Sequence, residues 1–82
     1  MTVADRVKKV VREVLKADEA KITPQAHFVR DLGAESIQSI ELVAAFEEEF
    51  DIEMDQDQAL AVETVADAIA YIAKVMKEQG KA

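Results

Sequence analysis

Apolar residues in this chain recur at helical spacing in three separate stretches, and almost nothing interrupts them. Val3, Val7, Val10, Val11, Val14 and Leu15 line one side of a helix over residues 3–15, with Lys8, Lys9, Arg12 and Glu13 on the other. Thr2 with Asp5 three positions on approximates a capping box. The run of valines lowers intrinsic helix propensity, so this helix must draw its stability from packing. A last helix begins after Thr64, again with an acid (Asp67) in its first turn. Val65, Ala68, Ile69, Ile72, Val75 and Met76 form its buried stripe, Tyr71 lies at its edge, and Gly80 ends it. Two glycines and one proline in 82 residues leave too few turn formers for a many-stranded sheet. The expected fold class is all-α, with three longer helices and one short one in a single domain spanning 1–82.

Between the first and second helices, Ala17 to Arg30 shows no sustained period. Ile22, Phe28 and Leu32 are expected to plug the core from this long connection, and Thr23-Pro24 reads as a turn or a one-turn helix start. His27, the sole histidine, has no Cys or His companion and reads as structural or exposed rather than as a ligand or base. Gln56 to Val62 reads as the short helix, with Leu60 and Val62 pointing inward. Lys81 and Ala82 are expected to fray. The acid-rich run from Asp51 lacks the glycine at its sixth position and the glutamate at its twelfth that a calcium loop needs, so no metal site is assigned.

The second helix, Ser36 to Phe50, has an unusual wheel. At about 100° per residue, Ser39, Leu42, Val43, Phe46 and Phe50 share one face, assigned to the core. Ile37, Ile40 and Ala44 make a second apolar stripe, with Glu47 on one edge and Glu41 and Glu48 on the other. A helix that only packs needs one apolar face. The second stripe either meets a partner's groove or packs beneath the long connection. Ser36 opens this helix. Its hydroxyl can cap the first turn, and the unpaired N–H groups there, with about half a positive charge, suit a phosphate. Ser36 is therefore placed to carry a phosphate-linked group, a plain helix cap being the alternative.

Charge supports a docking role. The net charge is −7, and no Lys or Arg falls between Arg30 and Lys74, a span holding Glu35, Glu41, Glu47, Glu48, Glu49 and seven other acids counted from Asp31. Such a surface repels nucleic acid and anionic membranes and attracts basic protein surfaces. No apolar run approaches the ~20 residues of a membrane span. The first residues do not form a signal peptide, so a cytoplasmic protein is expected. The chain has no cysteine and no paired nucleophile and base, metal set or glycine-rich phosphate loop, so no catalytic residue is assigned.

These residues carry a resemblance. Val7-Lys-Lys-Val10, Phe28-Val-Arg-Asp-Leu-Gly-Ala34 before the serine, Glu41-Leu-Val43 and Phe46-Glu-Glu-Glu-Phe50 after it, and Val65-Ala-Asp-Ala-Ile-Ala-Tyr-Ile72 together resemble the acyl carrier proteins of fatty-acid and polyketide synthesis. The resemblance covers nearly the whole chain. It implies the four-helix fold, no catalysis by the chain itself, and 4′-phosphopantetheine attached to Ser36 from coenzyme A by a phosphopantetheinyl transferase that supplies magnesium and the base. It accounts for the missing cysteine, because the prosthetic group brings the thiol on which acyl cargo rides as a thioester. It also implies an apolar interior for that cargo, assigned to Leu42, Phe46, Ile69 and Ile72. Basic patches of acyl-processing enzymes would meet Glu35, Glu41, Glu47 and Glu48, with Ile37, Ile40 and Ala44 as apolar contacts. A monomer is expected.

The match departs from the family at two positions. Glu35-Ser36-Ile37 replaces Asp-Ser-Leu, and Gln38 stands where fatty-acid carriers often have an acid. These leave open a specialised carrier for polyketide, modified-lipid or related chemistry, and an interaction module that kept the bundle without the modification.

Overall fold

The computed structural model describes residues 1–81, and its ordered elements are helical. Three long helices, α1 (Val3–Leu15), α2 (Ser36–Phe50) and α4 (Val65–Glu78), pack with one short helix, α3 (Gln56–Leu60). A single 3₁₀ turn, Glu19–Lys21, breaks the connection between α1 and α2. The helices expected from apolar spacing, and the four-helix bundle implied by the resemblance, are the fold observed.

Each long helix starts where its sequence provides an acceptor. Thr2 Oγ1 takes the Asp5 N–H at 3.0 Å and the Asp5 carboxylate takes the Thr2 N–H at 3.2 Å, a complete capping box. Thr64 Oγ1 takes the Asp67 N–H at 3.2 Å. The first and second helices end on residues with left-handed backbone, Lys16 and Asp51, both at φ 54°. Asp51 is secured by an ion pair to Lys81 Nζ at 2.8 Å, and the Lys81 N–H bonds the Met76 carbonyl. The expectation of a frayed Lys81 is thus overturned: its backbone caps α4 and its side chain reaches the end of α2. Ala82 lies outside the described residues.

The core is mostly aliphatic, with three buried phenylalanines, and is drawn from the three long helices and the connections. Val7 and Val11, Leu42 and Phe46, Val65 and Ile72 meet with Ile22 and Phe28 from the connection, all buried. Leu32 is half-buried against the same core. No buried side chain among the described residues is charged or polar. Core stability therefore comes from apolar burial, roughly 25 cal/mol per Å². The short helix corrects the sequence reading. It closes at Leu60, and Ala59 is its buried side chain, whereas Leu60 stays 43 % exposed. With five residues the helix has one inward position, and Ala59 takes it.

The connection is more ordered than its lack of period suggested. Asp18 caps the 3₁₀ turn through the Ala20 N–H. Further along, Phe28 N–H bonds Glu63 O at 2.9 Å, Val65 N–H bonds Ala26 O at 3.0 Å and Ala66 N–H bonds Pro24 O at 2.9 Å. These link the connection to the entry of α4 as a single antiparallel bridge between His27 and Thr64. Gly33, at φ 72°, makes the turn that releases the chain toward α2, a conformation a Cβ would disfavour.

Candidate functional site

The site is built on the first turns of α2. Glu35 rather than Ser36 occupies the N-cap, with extended backbone, and Ser36 is the first helical residue. The Gln38 side-chain oxygen accepts the Glu35 N–H at 2.9 Å, so the residue that departs from the family pattern closes the turn. Ser36 is exposed, and its hydroxyl makes no hydrogen bond among the described residues. It is not consumed as a cap. The Ser36 and Ile37 N–H groups have no intrahelical acceptor, and no carboxylate stands within the first turn of the helix itself. An unobstructed hydroxyl beside free N–H donors fits a phosphodiester there.

Beyond Ser36 the two apolar stripes separate. Leu42, Phe46 and Phe50 are buried, while Ser39 and Val43 are half-buried. Ser39 Oγ donates to the Glu35 carbonyl at 3.3 Å. Ile37 is 67 % exposed and Ile40 48 %, and Ala44 is exposed beside them, so the stripe does not pack beneath the connection. Two large aliphatic side chains stand in water a turn apart, next to the serine.

The carboxylates of this helix divide by what they already hold. Glu41 and Glu48 are exposed, with no ion pair among the described residues. Glu47 is half-buried, and its carboxylate accepts the Met54 N–H at 2.9 Å. Glu49 receives Arg6 Nε at 2.9 Å and Lys9 at 3.3 Å, and the Arg6 hydrogen bond holds its carboxyl below the ordinary range. Arg6 also donates to the Glu49 carbonyl at 2.6 Å and lies 4.4 Å from the Phe50 ring centroid, clamping the carbonyl end of α2 to α1. The clamp was not legible in the sequence, because its partners lie over forty residues apart.

Between α2, α3 and α4 lies a cavity of about 130 Å³, largely apolar. Leu42, Phe46 and Ile72 line it as expected, together with Phe28, Met54, Ala68 and Tyr71. Ile69 does not: it packs half-buried against the core, and the cavity wall from α4 is Ala68, Tyr71 and Ile72, spaced at three and four residues. Polar groups (His27, Ser39, Glu63) also reach the lining.

An all-α bundle with a free serine at a helix start and an apolar interior fits the carrier class that the sequence resemblance implied. A family model described as "Phosphopantetheine attachment site" matches residues 5–72. An acyl carrier protein of Phenylobacterium zucineum (strain HLK1) is 53 % identical over 70 residues, covering 85 % of this chain and 89 % of the relative. One from Caulobacter vibrioides (strain NA1000 / CB15N) is 51 % identical over 70 residues, covering 85 % and 90 %. The chain belongs to the acyl carrier protein family. Its prosthetic group is accordingly 4′-phosphopantetheine, its cargo is acyl, and its partners are acyl-processing enzymes. No helix among the described residues is long and apolar enough to cross a membrane.

Proposed function

We propose that Ser36 is the attachment residue and that the exposed side of α2 is where partner enzymes dock. The observation that carries this reading is the free, solvent-facing Ser36 hydroxyl at the head of the exposed Ile37–Ile40 stripe. In the loading reaction Ser36 Oγ bonds phosphorus as the pyrophosphate of coenzyme A breaks. The hydroxyl proton leaves to a base on the transferase, and the adenosine half of coenzyme A departs. The bound group supplies a thiol for thioester exchange. The chain's own contribution is to hold Ser36 clear of packing and to offer N–H donors, a setting that favours the anion by about 0.3–1 kcal/mol.

For docking, Ile37, Ile40 and Ala44 supply apolar contact, and Glu35, Glu41 and Glu48 supply the acidic rim toward the transferase and acyl-processing enzymes with basic patches. Glu47 adds its charge to that rim while holding Met54. Residues 1–82 act as one carrier domain, monomeric and cytoplasmic in this reading. The test is incubation with coenzyme A, magnesium and a promiscuous phosphopantetheinyl transferase, followed by intact-mass measurement. One prosthetic group is gained by the wild-type chain and none by Ser36→Ala. A mass gain that survives the substitution refutes the assignment.

A further inference from the structure

The turn that delivers Ser36 is gathered around one residue, through both its side chain and its backbone. His27 Nδ1 accepts the Val29 N–H at 3.2 Å and the Arg30 N–H at 3.1 Å. The same residue's carbonyl accepts the Asp31 and Leu32 N–H groups at 2.9 and 3.0 Å, and its own N–H bonds the Asp31 carboxylate at 2.7 Å. The turn then passes its order forward: Gly33 N–H bonds Val29 O at 3.1 Å and Ala34 N–H bonds Phe28 O at 2.8 Å. Glu35 and Ser36 follow directly.

An imidazole nitrogen accepts only while it carries no proton, and the imidazolium carries hydrogen on both nitrogens. Both bonds to Nδ1 therefore belong to the neutral ring. On its other side, Nε2 lies 3.6 Å from the Glu63 carboxylate. Asp31 on the turn, Glu63 ahead of α4, Arg30 beside the ring's two donors and Tyr71 on the shared cavity wall are the charged or titratable groups around it. With the imidazole half-buried, the protonated ring would set an N–H against two backbone N–H donors, so both bonds to Nδ1 would be lost and the turn would be held by its backbone bonds and the Asp31 carboxylate alone.

We propose that His27 is a positioning residue for the modification of Ser36: its bare Nδ1 gathers the turn that presents the serine, and protonation loosens that turn and slows the reaction. This rests on Ser36 being the attachment residue. It adds that presentation of that residue depends on pH through a side chain nine positions away.

The full-length apo chain tests it in two ways. First, wild type and His27→Asn, whose amide oxygen accepts without titrating, compete in one tube for a promiscuous transferase with coenzyme A and magnesium. Competition cancels the enzyme's own pH dependence. The wild-type-to-variant ratio is expected to fall about two- to tenfold as the ring gains its second proton, because the two N–H donors share one acceptor atom and together contribute about as much as a single hydrogen bond. A ratio constant with pH overturns the proposal. Second, NMR of the wild type alone should show the Val29 and Arg30 amide signals moving with the same midpoint as the His27 ring protons. Amides that stay still while the ring titrates overturn it as well, and this measurement decides if His27→Asn does not fold. Mass gained by Ser36→Ala would sink the attachment reading instead, leaving the NMR result to judge the hold of His27 on its turn.

Discussion

Replacing both Glu41 and Glu48 by Lys should slow association with a basic partner by orders of magnitude while leaving the fold intact. Each reversal shifts the charge by two units, so the net charge moves from −7 to −3. The two residues lie seven positions apart, about 10 Å along the helix at ~1.5 Å per residue. That spacing exceeds the ~8 Å screening length at physiological salt but is well inside the ~30 Å length at 0.01 M, so the pair acts jointly only when salt is low. One close contact in a water-like medium contributes about 1 kcal/mol, and reversal turns that attraction into repulsion. At about 1.4 kcal/mol per factor of ten, two sites give a slowing of up to about 10³ at low salt, within the range that steering accounts for. Neither carboxylate has an ion pair among the described residues, so unfolding free energy should change by no more than about 0.5 kcal/mol. The assay is the second-order rate of transferase modification at low and high salt, with urea unfolding alongside. Rates at low salt within twofold of wild type, in a folded double variant, would refute the docking face.

Other perturbations follow from the same contacts. Ile72→Ala removes a fully buried side chain and should cost about 2–5 kcal/mol, a large part of the 4–12 kcal/mol expected for a chain this size, as read by thermal melting. Glu47→Ala frees the Met54 N–H and should cost about 1 kcal/mol, with faster exchange at that amide, while Glu47→Gln retains the acceptor. Glu49 and Asp51 have carboxyls held below their ordinary values by hydrogen bonds from Arg6 and Lys81. A depressed folded pKa gives stability that is whole above the ordinary carboxylate range and disappears as pH falls through the lowered value. Urea midpoints should therefore drop on acidification below about pH 4, and Arg6→Gln should flatten the Glu49 part of that slope. An unchanged slope would exclude the Arg6 contact as its source.

The long helices were legible because their information is local. Val7, Val10 and Val11, and later Ala68, Ile72 and Val75, announce a buried stripe through spacing alone, and Thr2 and Thr64 mark where helices begin. The exposed stripe of Ile37 and Ile40 was equally visible, although its exposure needed the fold to settle it. What escaped was non-local or depended on competing chemistry. Serine is ordinarily the better cap, yet Glu35 takes that position because Gln38 bonds back to it, leaving Ser36 uncommitted. The sequence reads His27 rightly as structural or exposed, but that its ring accepts the Val29 and Arg30 N–H groups leaves no trace in composition. Ile69 shares the apolar period of α4, and periodicity cannot tell a cavity wall from core packing one position away.

One side of the cavity is α3, a five-residue segment whose buried side chain is Ala59 and whose half-exposed Leu60 also reaches the lining. Swinging such a flap outward forfeits little buried surface, whereas prying apart the long helices would dismantle the hydrophobic interior. Of the elements around the cavity, α3 therefore holds its place with the least buried apolar area, while the turn that carries Ser36 belongs to a different segment.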